Sequence, residues 1–388
     1  MDSSKLIKLL GGIVAIFVLL LLILWLVAKL KPKYVTYEEL ESKMIEASRQ
    51  YVREHENKFP NDNAKYSLSY QTLVNGEYIK PLDQMLSNSR GCSANIVVFK
   101  DNGQYSFTPY LNCGDNYKTI ELYKQILEDN PVTTSNSGLY KNAKGEYYFR
   151  GRSLNNYVAF GTVNTGSTVS DVLWQILSIT PDNKIRLRAV KSNMYLKINF
   201  DNRYNVDQAN TTGYNTFDDS VMAEKFKKLF EGNDLFTAEQ KTKMSPRRLC
   251  IAPRTLDDTS IDGSTECSQL STDEYYIAAI TPYEFMRIST DEQCKKLKDG
   301  SCRNYNFLAD SVQSYEWTLT PVPDNTFQVY TFNGKTFSEY KANSTRNVYP
   351  IIEVNEYAFY SDGDGSKEHP YEIKMATDKK KKKKTSSK

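Results

Sequence analysis

The sequence predicts an α+β protein with a single N-terminal transmembrane helix, a small helix-plus-sheet domain and a larger β-rich domain with helices. Three observations support this class. The 388-residue chain is long enough for two domains of ordinary size. An uncharged, mostly apolar run occupies Leu9 to Ala28. After it come a helical pattern, a hairpin pattern and many strand-like runs separated by turn residues.

The apolar run "LLGGIVAIFVLLLLILWLVA" is long enough to cross a bilayer, because a helix of this length spans roughly 30 Å. It exceeds the roughly 7–15 residues of a signal-peptide core, and no small-x-small cleavage site follows it. We therefore expect an uncleaved signal-anchor helix at 9–28, after a short N-terminal segment at 1–8. Lysines flank the run on both sides, so charge alone does not decide its orientation.

The first domain is expected at 34–116 and begins with an amphipathic helix from Thr36 to about Lys58. Thr36 and Glu39 have the spacing of a capping box, and apolar residues recur at spacings of three and four. The runs "NIVVFK" and "QYSFTPYL" are joined by "DNG", which predicts a β-hairpin. Cys92 and Cys113 lie at the two ends of this hairpin.

The stretches "ASRQYVREHENKFP", "SYQTLVNGEYIKPL" and "CSANIVVFKDNGQYSFTPYLNC" resemble globular domains of type IV pilins and of type II secretion pseudopilin-like proteins from Gram-positive bacteria. The resemblance covers about residues 34–118. It implies a helix packed on a small disulfide-closed sheet, and a role as an accessory subunit of a pilus or secretion system. The prepilin signature, a Gly followed by Phe-Thr-Leu-Ile-Glu, is missing, which counts against assembly into a filament.

Residues 117–138 read as a linker, and the second domain is expected at 139–374. The motifs "NNYVAFG", "VLWQILSITPDNKIRLR", "YEWTLTPVPDNTFQVYTFNG" and "RNVYPIIEV" resemble a bacterial extracellular domain of unknown function. That domain is related to the C-type-lectin-like fold of formylglycine-generating enzymes, so the resemblance implies a β-rich domain of this type. These are packing motifs. Because no cysteine follows Cys302, the resemblance does not carry over formylglycine-generating activity.

The cysteines are expected to form disulfides in an oxidising compartment. There is no C-x-x-C, and only two histidines accompany the cysteines, which argues against zinc and dithiol redox sites. An even count suits disulfides, with reduced cytosolic thiols as the alternative. The domain boundary favours Cys92–Cys113, with Cys250–Cys267 and Cys294–Cys302 as the local choice. Disulfides would place the two domains outside the cell and the N-terminus in the cytoplasm.

Other candidate chemistry is sparse, and we expect no catalytic residues and no cofactor. No G-x-S-x-G occurs, and no Ser-His-Asp triad has support from spacing. Asp362 and Asp364 in "SDGDGSKE" resemble half of a calcium loop, but a tight turn explains them better than a metal site.

The segment 375–388 is a lysine-rich tail expected to be disordered. Lys379 to Lys384 form an unbroken run that suits either a solvated tail or a grip on an anionic envelope polymer. No aromatic residue interrupts the run, so specific nucleic-acid recognition is not indicated.

Together these features predict a membrane-anchored bacterial cell-surface protein with a non-enzymatic binding or adhesion role and an unknown ligand. The first alternative is an accessory pilin or pseudopilin-type subunit. The second alternative is an enzyme of the formylglycine-generating type.

Overall fold

The computed structural model describes residues 34–375 except 63, 102, 136, 165–168, 191–195 and 310–313. The chain divides into two compact units between Thr119 and Ile120. This division falls within 117–138, the stretch predicted as a linker.

The first unit is a helix packed on a three-stranded antiparallel sheet of order β1-β2-β3. Its elements are α1 (Tyr37–Glu54), β1 (Ala64–Ser69), α2 (Tyr70–Asn75), α3 (Leu82–Met85), β2 (Ser93–Asp101) and β3 (Gln104–Asn112). Thr36 caps α1, because its hydroxyl accepts a hydrogen bond from the Glu39 amide at 3.2 Å. Leu40 and Met44 of α1 and Ile96 and Val98 of β2 are fully buried. The helix and the sheet therefore share one apolar core.

The α1 helix ends at Glu54, before the predicted end near Lys58. His55 leaves helical geometry with φ −133° and ψ 38°, and Glu56–Lys58 form a 3-10 turn. This turn brings Phe59 into the core, where it is 4% exposed. The predicted last α-helical turn is therefore a 3-10 turn, which is followed by the buried Phe59.

The second unit is mostly sheet. Its strands are β4 (Gly138–Lys141), β5 (Tyr147–Arg150), β6 (Tyr157–Asn164), β7 (Val169–Ile179), β8 (Ile185–Ala189), β9 (Leu196–Asn199), β10 (Met244–Ser245), β11 (Ile277–Ala278), β12 (Glu316–Pro321), β13 (Gln328–Phe332), β14 (Phe337–Lys341), β15 (Thr345–Val348), β16 (Ile351–Val354), β17 (Tyr360–Asp362) and β18 (Tyr371–Ile373). Its helices are α4 (Leu122–Asp129), α5 (Val221–Glu231), α6 (Ala238–Lys241) and α7 (Pro282–Ile288).

These strands form two sheets. The larger has ten strands along the path β10-β16-β8-β7-β6-β18-β17, with β11 beside β16 and the β4–β5 hairpin beside β7. The smaller has the order β14-β13-β12-β15-β9. Trp174 of β7 and Trp317 of β12 are buried, and their indole N–H groups donate to the Phe160 and Ile198 carbonyls. Each sheet thus has a tryptophan anchored in its core.

The first and last elements of the second unit lie together. Leu122, at the start of α4, donates its amide to the Ala358 carbonyl at 2.8 Å. The Tyr371 hydroxyl of β18 donates to Asp129 at the end of α4, and β18 pairs in parallel with β6. The α4 helix was not foreseen within the predicted linker. Leu122 and Ile126 are fully buried in the core of the second unit.

The predicted transmembrane helix and single-pass cell-membrane location require correction. In the part of the chain that the structure describes, no helix is long and apolar enough to span a bilayer. The predicted anchor, Leu9 to Ala28, and the lysine run, Lys379 to Lys384, both lie outside the described residues. The described residues therefore form a mixed α+β fold, mostly sheet with few helices.

Candidate functional site

All six cysteines form disulfides, which confirms the prediction of disulfide bonding. The pairs are Cys92–Cys113 in the first unit, and Cys250–Cys267 and Cys294–Cys302 in the second. These are the pairings that the domain boundary and local spacing favoured. The protein therefore has no free thiol to serve as a nucleophile or metal ligand.

The Asp362 and Asp364 carboxylates accept hydrogen bonds from backbone amides of the turn in which they lie. One oxygen of Asp362 accepts from the Gly363 amide, and one oxygen of Asp364 accepts from the Ser366 amide, each at 2.9 Å. Gly363 has a φ of 97°, which glycine adopts without strain. Among the described residues, no group of three or more His, Cys, Asp and Glu side chains is placed to hold a metal ion. The geometry is that of a tight turn.

The structure assembles a polar site that the sequence patterns did not reveal. We call it the arginine–glutamate cluster, and it lies in the second unit. It consists of Arg186, Arg247, Arg287, Tyr283, Glu146, Glu284 and Glu353. Its side chains come from β8, β16, α7, the turn before β5 and the segment after β10. Sheet pairing and one helix therefore bring together residues that are far apart in sequence.

Arg186 is the centre of the cluster, and its guanidinium is fully engaged. It lies directly opposite Glu353 in the β8–β16 register. Its Nε and Nη2 donate to Glu353 Oε1 at 3.1 and 2.8 Å, and its Nη1 donates to Glu284 Oε1 at 3.1 Å. The other oxygen of Glu284 accepts from the amide and hydroxyl of Thr281, at the start of α7. Arg186 thus ties the large sheet to α7.

Arg287 is also fully paired. Its two Nη groups donate to the two oxygens of Glu146 at 2.9 and 3.0 Å, the bidentate geometry that suits a guanidinium and a carboxylate. Its guanidinium lies over the rings of Tyr148 and Tyr283, at 5.3 and 5.4 Å from their centroids.

Arg247 differs from the other two arginines. Its Nε lies 3.5 Å from Glu353 Oε1, the same oxygen that already accepts two hydrogen bonds from Arg186. Its Nη groups form no hydrogen bond with any described residue. The side chain is 15% exposed, so part of it is open to solvent. The backbone of Arg247 is fixed by reciprocal hydrogen bonds with Tyr275.

Tyr283 supplies a second unused donor. The residue is 6% exposed, and its hydroxyl forms no hydrogen bond with the described residues. Gly263 leaves room for the ring, because a Cβ at this position would lie 3.0 Å from the ring carbon Cζ. Arg247 is among the charges that act on Tyr283. The two unused donors therefore lie in the same cluster.

The pKa shifts follow from burial and from these pairings. Burial and the like charge of Arg186 lower the pKa of Arg247. Burial acts against ionisation of Glu284, but the surrounding arginines outweigh it and lower its pKa. Burial and Glu284 raise the pKa of Tyr283, so its hydroxyl stays protonated and able to donate.

The sequence held one signal of this cluster. Charged residues stand among apolar residues in "KIRLRAV", "TPYEFMRI" and "YPIIEV". A charged side chain that is buried among apolar residues needs a partner of opposite charge or a hydrogen-bond partner. Each of these charged residues was therefore expected to have one. Nothing in the local pattern indicated which partner each would have.

Comparisons with known protein families, with curated proteins and with solved structures find no match to this chain.

Proposed function

We propose that this chain is an exported, non-enzymatic binding protein with an adhesion role, and that its second unit holds a carboxylate of the ligand on Arg247 and Tyr283. The observation that carries the proposal is the incomplete pairing of Arg247. Arg186 and Arg287 each have carboxylate oxygens at hydrogen-bond distance, whereas Arg247 only shares an oxygen at 3.5 Å.

A carboxylate suits these donors for a physical reason. A guanidinium offers two parallel N–H groups that match the two oxygens of a carboxylate, and partial burial strengthens such charge-assisted bonds. The Tyr283 hydroxyl adds a third donor. Arg186, Arg287, Glu146 and Glu284 would then act as a rigid frame that fixes these donors before the ligand arrives.

Export is supported by the disulfides. Three disulfides and no free cysteine are typical of proteins that mature in an oxidising compartment. The resemblance of the second unit to a bacterial extracellular domain of C-type-lectin-like type agrees with this location.

The test is binding of simple carboxylates to the full-length, disulfide-intact protein. Isothermal titration would use glucuronate, succinate and inorganic phosphate as probes. We expect a carboxylate to bind, and Arg247→Ala to weaken it by about ten-fold or more, because a charge-assisted contact is lost. Tyr283→Phe keeps the ring and removes the hydroxyl, so a smaller loss of several-fold is expected.

Arg248→Ala is the matched control, because Arg248 is the exposed neighbour of Arg247 in the chain and contributes nothing to the cluster. The affinity of the Arg248→Ala variant for the carboxylate should equal that of the unaltered protein. Equal affinities for the Arg247→Ala and Arg248→Ala variants would contradict the proposal. So would phosphate binding more tightly than either carboxylate.

A role as an accessory pilin or pseudopilin-type subunit is the second candidate. One observation favours it: α1 packs on a three-stranded antiparallel sheet whose hairpin ends are joined by Cys92–Cys113. N-terminal sequencing of the protein from its source tests this role. Processing near the start of the chain would support it, and an unprocessed N-terminus would count against it. No observation favours an enzyme of the formylglycine-generating type.

A further inference from the structure

A small open groove lies between β9 and α5 in the second unit, and none of its lining residues belongs to the arginine–glutamate cluster. The groove has a volume of about 230 Å³. Pockets for drug-sized molecules begin at roughly 300 Å³, so this groove suits a smaller ligand. Leu196 and Ile198 of β9 and Leu229 of α5 supply its apolar surface. The groove can therefore accommodate a small aliphatic group.

The spacing of the lining residues explains why they meet in one groove. The two β9 residues alternate with the exposed Lys197, so their side chains lie on one face of the strand. On the helix side, Lys225, Leu229 and Gly232 follow each other at spacings of four and three, on one face of α5 and its C-terminal cap. Two regular elements therefore form the walls of the groove.

Two unpaired charges of opposite sign line the groove. Lys225 and Asp234 are both exposed, and in the described part of the chain neither side chain forms a hydrogen bond or an ion pair. Lys228 also lines the groove, but it pairs with Glu224 one turn earlier on α5, so this pair adds no net charge. The groove thus offers one free ammonium group and one free carboxylate.

The two free charges lie toward opposite ends of the groove. The Asp234 carboxylate lies at the C-terminus of α5, because a Cβ at Gly232 would be 4.0 Å from its Oδ2. Lys225 is two turns earlier on the same helix face, which corresponds to about 10 Å along the helix axis. A helix C-terminus carries partial negative charge and favours a cation nearby. The groove therefore has an end that suits an anion and an end that suits a cation.

We propose that this groove binds a short aliphatic peptide with free termini, of dipeptide length. Charge complementarity assigns its orientation: the terminal ammonium group lies at Asp234 and the terminal carboxylate lies at Lys225. An extended chain spans roughly 3.3–3.6 Å per residue, so two residues and the hydrogen bonds at their ends match the separation of the charges. The aliphatic side chains of the peptide pack on Leu196, Ile198 and Leu229.

This site goes beyond the proposed function. That function places a carboxylate of a ligand on Arg247 and Tyr283, whereas the groove recognises both termini of a peptide and its aliphatic side chains. The two sites share no residue. Each proposal can therefore fail without the other.

The test is isothermal titration of the full-length, disulfide-intact protein with four probes. Leucyl-leucine carries both terminal charges, its N-acetyl form lacks the ammonium group, and its C-terminal amide lacks the carboxylate. Seryl-serine keeps both charges and lacks the aliphatic side chains. We expect leucyl-leucine to bind tightest. Each capped form should bind about three-fold more weakly, because one exposed ion pair is lost. Seryl-serine should bind more than about ten-fold more weakly, because little apolar surface is buried.

Two substitutions test the two ends of the groove separately. Lys225→Met keeps the length of the side chain and removes its charge, so this variant should no longer distinguish leucyl-leucine from its amide. Asp234→Asn should no longer distinguish leucyl-leucine from its N-acetyl form. Both positions are exposed, so both variants should fold. Lys197→Met, on the opposite face of β9, is the matched control and should keep both preferences.

Three results would overturn the proposal. The first is the absence of leucyl-leucine binding to the unaltered protein. The second is equal affinity for leucyl-leucine and both of its capped forms. The third is a preference for free termini that Lys225→Met and Asp234→Asn leave unchanged. Arg247→Ala should leave leucyl-leucine binding within about two-fold, so failure of this site and failure of the carboxylate site are distinguishable.

Discussion

Arg188 and Glu316 form a fully buried ion pair that joins the two sheets of the second unit. Arg188 Nη2 donates to both oxygens of Glu316, at 2.9 and 2.8 Å, and each side chain is 1% exposed. Arg188 belongs to β8 of the larger sheet and Glu316 to β12 of the smaller. The guanidinium also lies over the Tyr349 ring. Because both partners are buried, replacing only one of them leaves an uncompensated buried charge and is costly.

Replacing only Arg188 is expected to destabilise the protein strongly. Arg188→Met leaves the Glu316 carboxylate buried without its partner, and burial already raises the pKa of Glu316. The expected loss is about 3–5 kcal/mol in the free energy of unfolding, measured by urea denaturation. The double variant Arg188→Met, Glu316→Leu removes both charges and should recover most of that loss. A double variant as unstable as the single one would show that packing, not charge, sets the cost.

Lys243 should make stability depend on alkaline pH. The residue is 7% exposed, and its amine donates to the Tyr357 carbonyl at 3.3 Å. Burial lowers its pKa from the ordinary 10.5 to about 8. Below pH 8 the amine is charged in both states, and burial costs about 3 kcal/mol. As pH rises from 8 to 10.5, the folded protein loses this proton first, so the cost is relieved and stability increases.

The measurement for Lys243 is urea denaturation of the unaltered protein and Lys243→Met across this range. The variant should be more stable near neutral pH, and its advantage should shrink toward pH 10. Comparing the two proteins cancels the titration of the tyrosines, which they share. A stability difference that stays constant with pH would contradict the assignment.

The cysteines of the protein isolated from its source should all be oxidised. Titration with a thiol reagent in denaturant is expected to detect no thiol before reduction and six afterwards, because all six cysteines are paired. Free thiols in freshly isolated protein would place its maturation in a reducing compartment. The export part of the proposed function would then fall.

The Cys92–Cys113 disulfide should contribute substantially to the first unit. Its partners are 21 residues apart, and a loop of this size corresponds to about 3 kcal/mol in the chain-entropy description. Replacing both cysteines with alanine should lower the free energy of unfolding of this unit by about that amount. The same replacement at Cys294–Cys302, 8 residues apart, should cost less, about 2.5 kcal/mol. The reverse order would show that local packing outweighs loop length.

The spacing of apolar residues and the turn residues were sufficient to predict the main helix and the hairpin of the first unit. Leu40, Met44, Ala47 and Tyr51 recur at helical spacing, and all four are buried. The hairpin register, from Ser93 opposite Asn112 to Asp101 opposite Gln104, follows from its short turn. In contrast, α4 has eight residues and no side-chain cap at its start. The sequence around it therefore did not predict a helix.

The arginine–glutamate cluster could not be predicted from the local sequence pattern. Arg186 meets Glu284 and Glu353 across 98 and 167 residues. These contacts exist only because β16 lies beside β8, and strand order of that kind is not written in the spacing of apolar residues. Buried charges in a single sequence reveal that partners exist, and the topology then decides which they are.

The closing of the second unit by β18 bears on how the protein is made. In the larger sheet β18 lies between β6 and β17, and Tyr371 contacts the end of α4. A ribosome adds roughly 5–20 residues per second, so β6 waits tens of seconds for its last neighbour. Until Ile373 emerges, β6 has an unpaired strand edge. The second unit is therefore completed only late in its synthesis, when β18 becomes available to pair with β6.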